Sequence, residues 1–308
     1  MILVCGEALL DVFAAEPTRN GLMLQANVGG SPFNVAVGLA RMGQPVSFLG
    51  AVSRGFAGER LMQALVAEGV DTGTAARVDA PTTLSLVGLD ASGVPSYSFY
   101  GDGCADRLLG AADLARIPAE LAAVTVGSYA TVVDPIGSTL RTLIERQHGR
   151  ALIAFDPNVR LNVQPDIGVW RDHFAWMLPR TDLLKVSEED LQLLRPQASL
   201  EVVAHEALNA GVRCAVITRG ARGAVAWTAT ATVTATPETI DVVDTVGAGD
   251  TFLAALLTWL AEHGSLASDK LSTLREDQLA GALRFASRAA AITCTRRGAD
   301  LPRRAELP

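Results

Sequence analysis

Short apolar runs alternate with amphipathic stretches almost from one end of the chain to the other. The runs at 2–5, 46–49, 124–126, 152–155, 183–186 and 214–218 are rich in Leu and β-branched residues and carry no polar alternation. That is the pattern of strands covered on both faces. Between them, 135–147, 200–210 and 248–262 are amphipathic segments with helical character. The alternation predicts an α/β fold, with a predominantly parallel central sheet flanked by helices. Two stretches break the rhythm. Residues 12–28 and 83–100 alternate polar and apolar positions and are rich in turn formers; the second runs Leu84-Ser85-Leu86-Val87-Gly88-Leu89-Asp90 and then Ser96-Tyr97-Ser98-Phe99-Tyr100. They predict antiparallel strands around an Ala91-Ser92-Gly93 turn, forming a small β-sheet that projects from the main one. No repeat or linker interrupts the chain, so 1–308 is expected to be a single domain with this outgrowth as a lid subdomain.

Composition narrows the class. With 308 residues, 49% hydrophobic and 19% charged, the chain has ample material for a core and is not disordered. Its net charge is −7 and no segment concentrates Lys and Arg, which excludes a nucleic-acid partner. No run approaches the roughly 18 apolar residues of a membrane span. The N-terminus reads directly as a strand without a basic leader. Cys5, Cys104, Cys214 and Cys294 are scattered, with no CxxC pair and no nearby His. Together these features predict a soluble cytoplasmic protein with reduced, mostly buried thiols. His148, His173, His205 and His263 fall away from every motif and are expected at the surface without a role.

The strongest chemical signal is Asp244-Thr245-Val246-Gly247-Ala248-Gly249-Asp250-Thr251-Phe252, which opens an apolar, Ala-rich helix. Small residues before a helix let backbone N–H groups approach an anion, and the helix N-terminus adds the positive end of its dipole. Such a start can hold a phosphate or the charge developing on one, with Asp250 beside it. Tight packing glycines followed by a favourable first-turn acid explain the pattern equally well. A second segment, Val28-Gly29-Gly30-Ser31-Pro32-Phe33-Asn34, opens a helix through Met42. It reads either as a capped helix start or as a place where a ligand reaches the Gly30 backbone and Asn34. The first strand is followed by Gly6-Glu7-Ala8-Leu9-Leu10-Asp11, without GxGxxG, and GxxxxGK[ST] occurs nowhere. Dinucleotide-binding and P-loop architectures are thereby excluded.

These segments resemble the two signatures of the PfkB, or ribokinase-like, family of carbohydrate kinases. Residues 28–36 are similar to the N-terminal glycine-glycine signature, and 241–252 to the C-terminal one with its DTxGAGD core, in the family's order and at its separation. The resemblance implies a ribokinase-like sheet with a β-lid. It implies Asp250 as catalytic base and Gly247, Ala248 and Gly249 as the backbone anion hole, a division of labour that suits phosphoryl transfer. Asp11, Gly29, Gly30 and Asn34 match sugar contacts, Phe99 falls in the lid, and Arg160 ends a stretch, Asp156-Pro157-Asn158-Val159-Arg160, similar to DxNxR. In Lys185-Val186-Ser187-Glu188, Lys185 stands where the family's NxxE motif has Asn. Glu188 matches the acid that orders magnesium, while Lys185 is implied to contact the nucleotide's phosphates. Ser187 before an acidic first turn is also ordinary helix-start chemistry. Thr218, Gly220 and Gly223 match the TxGxxG nucleotide segment, a turn between 214–218 and 224–227, and Ser287 falls beside the adenine position. Asp244 and the 293–298 stretch, including Thr293, match a region where several relatives bind potassium.

Implied cofactors are therefore Mg²⁺ with ATP, and K⁺. The implied partners are a small-molecule sugar, ATP and a second copy of the chain joined through the β-lid. Three local runs are similar to those of bacterial fructokinases: residues 4–11, Tyr97-Ser98-Phe99-Tyr100 with Ala105-Asp106-Arg107-Leu108-Leu109, and the Lys185-Val186-Ser187-Glu188-Glu189 stretch. They imply fructose as acceptor, with 2-keto-3-deoxygluconate, ribose and aminoimidazole riboside as the alternatives within the family. An alternative outside catalysis is a sugar or nucleotide sensor on the same fold.

Overall fold

In the computed structural model, which describes residues 1–89, 95–236 and 238–308, the chain opens with strands β1 (Ile2–Cys5), β2 (Leu9–Thr18), β3 (Gly21–Gly29), β4 (Val46–Leu49), β5 (Ala51–Ser53), β6 (Ala76–Val78), β7 (Leu84–Leu89) and β8 (Pro95–Tyr100). There follow β9 (Ala123–Gly127), β10 (Leu152–Asp156), β11 (Leu183–Ser187), β12 (Cys214–Thr218), β13 (Ala224–Trp227) and β14 (Thr232–Ala235). The main sheet has eight strands in the order β14-β13-β12-β11-β10-β9-β1-β4. It is parallel from β4 to β12, with β13 and β14 added antiparallel. The expected helix-flanked, mostly parallel sheet therefore forms.

Each parallel strand is apolar because both its faces are covered. Within β1, Ile2 and Val4 enter one core while Leu3 and Cys5 enter the other, the period-2 geometry of a strand. Helices α1 (Ser31–Arg41) and α2 (Phe56–Ala67) lie on the first core; α3 (Ile136–Gln147), α4 (Ile167–Met177), α5 (Glu188–Leu194) and α6 (Leu200–Ala210) lie on the second. Helix α7 (Ala248–Glu262) is buried at every position from Asp250 to Leu260. It packs between α1 and the long α9 (Glu276–Cys294), with the short α8 (Ser268–Leu271) in the connection. A Cβ on Gly38 of α1 would come within 2.9 Å of Ala254 Cβ on α7. The missing side chain is what lets these two helices approach so closely.

The second sheet has the order β3-β2-β7-β8. The two hairpins are antiparallel within themselves, but β2 and β7 meet in parallel. This corrects the expectation of purely antiparallel strands. The chain between β3 and β7 passes through α1, β4 and α2 before it returns, so the second hairpin arrives pointing the same way as β2. The sheet also starts earlier than expected, because Leu9 and Leu10 are buried in the two cores. The Ala91-Ser92-Gly93 turn lies outside the described residues. A short parallel pair, β5 with β6, was not anticipated.

The cysteines are free, three buried and Cys294 half-buried. No helix among the described residues is long and apolar enough to cross a membrane. His173 departs from the surface placement expected for the histidines. It is buried on α4, edge-on to Phe155 at 5.8 Å and stacked on Trp176 at 5.9 Å, with Nε2 unpartnered. Burial, with the neighbouring Arg141 cation, pushes its pKa down to about 3 from 6.5.

This placement gives a pH prediction. Between pH 6.5 and about 3 the unfolded chain binds a proton at His173 that the folded chain does not, so stability present above pH 6.5 is lost as pH falls, by up to about 1.4 kcal/mol per unit. Denaturation midpoints measured across this range should fall more steeply for the native chain than for His173→Phe. Equal slopes would show that His173 stays solvated.

Candidate functional site

Ligands of open α/β sheets bind beyond the carboxyl ends of the strands. Here that edge carries Glu7 just after β1, Ser128 just after β9, and Asp156, Ser187 and Thr218 as the last residues of β10, β11 and β12. Two helix N-termini come to the same region. Helix α1 starts from Gly30, at φ 105°, with Pro32 in its first turn. Helix α7 starts from Gly247 in the left-handed region, φ 78°, where a Cβ would also stand 2.7 Å from Ala299 Cβ. Glycine is the residue that fits there.

Asp250 lies in the first turn of α7 and is buried. Ser31 Oγ donates to its Oδ1 at 2.6 Å and Asn34 Nδ2 donates to its Oδ2 at 2.8 Å. Both donors stand in the first turn of α1, so the two helix starts are tied through one carboxylate. The first-turn N–H groups of α7 lack intrahelical partners, although Ala248 N–H donates to the Thr245 carbonyl at 3.2 Å. Lys185 Nζ would be 3.1 Å from a Cβ on Gly249, so the ammonium rests against the helix start. It is buried and pairs with Asp156 Oδ2 at 2.6 Å. Burial pushes the Asp156 carboxyl up to about 6; Lys185 opposes the rise, while Asp190 and Asp250 add to it. One cation thus serves several acids, and Asp156 Oδ1 has no partner.

Asp11 folds over Gly29, where a Cβ would collide with its Oδ2 at 2.3 Å. Burial raises its pKa, Ser85 and Arg160 lower it, and Asp250 raises it. Asp11 thus feels the charges of both Arg160 and Asp250. Arg160 is exposed, with Nη1 donating to the Val159 carbonyl at 3.0 Å. Phe99 stands edge-on to Tyr129 at 5.4 Å, with the Arg107 guanidinium 5.9 Å from its ring. Asp11, Gly29, Gly30, Asn34 and Asp250 are brought together, and Arg160 flanks them.

The other candidate residues form a second group. Thr218 ends β12, and Gly220 and Gly223, both at positive φ, shape the turn into β13, where Arg219 N–H donates to the Gly223 carbonyl at 2.7 Å. Glu188 is half-buried at the start of α5 and forms an ion pair with Arg222 of that turn. Ser187 caps α5: its Oγ accepts from Asp190 N–H at 3.0 Å. Ser287 is half-buried on α9. Asp244 accepts from Val246 N–H at 3.0 Å and Gly298 N–H at 2.8 Å, stapling its loop. The Thr293 hydroxyl shares a 2.8 Å hydrogen bond with Thr251 and joins α9 to α7, while the Thr293 carbonyl accepts from Arg296 N–H at 3.0 Å.

Among the described residues no group of three His, Cys, Asp or Glu side chains could cage a metal. Mg²⁺ suits what is present, since it keeps most of its waters and binds through one or two carboxylates plus substrate phosphates. Glu188 offers such a carboxylate. Sequence reasoning missed Ser31 as a partner of Asp250, Asp156 as the partner of Lys185, and Arg222. It left Glu7 and Asp106 without roles, although an acid at the end of an apolar strand is a signal for Glu7.

The pfkB family carbohydrate kinase model matches residues 1–305. The fructokinase of Rhizobium leguminosarum bv. trifolii is 34% identical over 279 residues, covering 91% of this chain and 85% of that protein. The ATP-bound fructokinase of Xylella fastidiosa superposes with a TM-score of 0.86 at 26% identity, over 100% of this chain and 94% of the other. The fructokinase of Vibrio cholerae O395 bound to fructose, ADP and calcium gives a TM-score of 0.79 at 26% identity, over 97% and 94%.

The buried ion pair yields a stability prediction. Removing one partner of such a pair strands the other, at a cost of about 3 kcal/mol. Lys185→Met should therefore lower stability by that much in chemical denaturation, and Lys185→Met with Asp156→Leu should recover most of it. An unchanged midpoint in the single variant would show that water already screens the pair.

Proposed function

Because the chain belongs to the pfkB family of carbohydrate kinases, we propose that it transfers the γ-phosphoryl group of MgATP to a primary hydroxyl of fructose. The observation that carries the reading is Asp250, held by Ser31 and Asn34 at the N-terminus of α7. The fructokinase relatives in Rhizobium and Xylella, and the fructose held by the Vibrio enzyme, support the choice of sugar.

Fructose lies between the strand edge and the small sheet, which acts as a lid. Asp11, Gly29, Gly30, Asn34, Phe99 and Arg160 contact it. Asp250 takes the proton of the primary hydroxyl as its oxygen bonds to the γ-phosphorus. The bond from that phosphorus to the β–γ bridging oxygen breaks, and ADP leaves with the electron pair. The N–H groups of residues 247–249 and the Lys185 ammonium face the charge of the transferring group, where preorganised donors count most. Thr218, Gly220, Gly223 and Ser287 hold the nucleotide. Mg²⁺ neutralises charge on the phosphates when bound, with Glu188 as the residue that would hold it. Asp244 and the Thr293 segment form the loop that would take K⁺. Leu22, Met23 and Leu24 are exposed along the edge strand β3, a surface that pairing with a second lid would cover. We place the enzyme in the cytoplasm as a homodimer.

Two outcomes follow. Asp250→Asn should reduce kcat by about 10³-fold, the range of a lost general base, while fructose affinity by calorimetry stays within a fewfold; turnover close to that of the native chain would overturn the assignment. Light scattering should give twice the 32.3 kDa chain mass, and exchanging Leu22 and Leu24 for Lys should halve it. A native mass of one chain would contradict the lid pairing.

A further inference from the structure

Glu7 stands at the strand edge, and the proposed reaction leaves its chemistry unused. It stands two residues past the end of β1 and is 1% exposed, yet its Oε2 has no partner. Buried polar atoms almost always meet a hydrogen-bond partner, so this oxygen is available to one that a ligand would bring. Its surroundings belong to the sugar side of the site. A Cβ on Gly30 would come within 2.9 Å of the Glu7 carbonyl oxygen, so the Gly30 backbone lies directly over it. Ser128 stands near the Glu7 carboxyl and lowers its pKa. Ser128 itself sits at φ 55°, ψ −167°, a region otherwise kept for glycine, and such strain gathers at ligand sites. Next to it, Tyr129 carries Phe99 on its ring and donates at 2.8 Å to the buried Asp106. The Arg160 charge acts on both Glu7 and Asp11.

We infer that the Glu7 carboxyl is a specificity-determining sugar contact, exchanging hydrogen bonds with a sugar ring hydroxyl beside the Gly30 backbone. The inference rests on the reading of the chain as a fructose kinase and assigns a further residue to it. Burial is the main cause that raises the Glu7 pKa to about 8; Asp106 adds to the rise, and Ser128 and Arg160 oppose it. Near pH 7 the group is therefore mostly the neutral acid, which can donate through its hydroxyl and accept through its carbonyl. A sugar hydroxyl needs both. A neutral acid also adds no further negative charge to a site that must release a sugar phosphate.

The test is a cycle between variant and substrate. The native chain, Glu7→Leu and Glu7→Gln are assayed for kcat and KM with fructose, a set of monodeoxyfructoses and MgATP. Glu7→Leu should lose about 10- to 100-fold in kcat/KM for fructose, the worth of one buried hydrogen bond, with KM for MgATP unchanged. One monodeoxyfructose that is a poor substrate for the native chain should cost Glu7→Leu nothing further. Glu7→Gln, which keeps the shape and both kinds of hydrogen-bonding atom, should stay within about threefold of the native chain for fructose. Penalties that multiply for every analogue, or a rise in KM for MgATP in step with that for sugar, would overturn the inference and leave Glu7 as part of the scaffold. Should Glu7→Leu fail to fold, Glu7→Ala carries the same cycle with the same criteria. Native turnover of fructose is measured first: silence there overturns the fructose reading and this inference with it, whereas turnover with multiplying penalties overturns the inference alone.

Discussion

Two side chains from the first turn of α1 hold both oxygens of a carboxylate in the first turn of α7, across more than 200 residues of chain. Ser31 and Asn34 can reach Asp250 only because α1 and α7 approach closely at Gly38 and both helices begin at the carboxyl edge of the same sheet. The all-round burial of α7 serves this contact. A helix sealed between α1, α9 and the sheet cannot drift, so its N-terminal amides and Asp250 keep their places without a ligand. Preorganisation of this kind is what phosphoryl transfer asks of a protein, since the nucleotide brings its own leaving group and the protein supplies position and charge.

The electrostatics follow from that constraint. A helix start suited to anions, Asp250 beside it, and Asp156 and Asp190 at neighbouring strand and helix ends would leave the edge heavily negative. Lys185, last but two in β11, answers this by pairing with Asp156 while resting on Gly249. An ammonium held there counters the acid charge of Asp156 and its neighbours at the start of α7. Glu188 and Arg222 form a second ion pair at the start of α5, with the Arg exposed.

Much of this was legible from the residues. Strands buried on both faces announce themselves as unbroken apolar runs, so 2–5, 46–49 and 214–218 match their strands residue for residue. Glycines at helix starts marked α1 and α7, because a backbone at positive φ or in close contact accepts little else. What stayed hidden depends on pairing between distant segments. The parallel contact of β2 with β7 arises from the path of the chain between two hairpins, which local alternation does not record. Ser31 read as a cap and Asp156 as the end of a strand until the fold brought Asp250 and Lys185 to them. His173 looked like a polar position on an amphipathic helix, and only Phe155 and Trp176 closing around it make it a buried base.

If the α1–α7 clasp is what makes Asp250 effective, Asn34 acts on the rate through that carboxylate. Turnover numbers for Asn34→Ala, Asp250→Asn and the double variant at saturating fructose and MgATP test this directly. Asn34→Ala is expected to lower kcat in the native chain by about tenfold or more, yet to cost nothing further once Asp250 is Asn. Losses that multiply in the double variant would contradict it, showing that Asn34 and Asp250 serve the reaction independently.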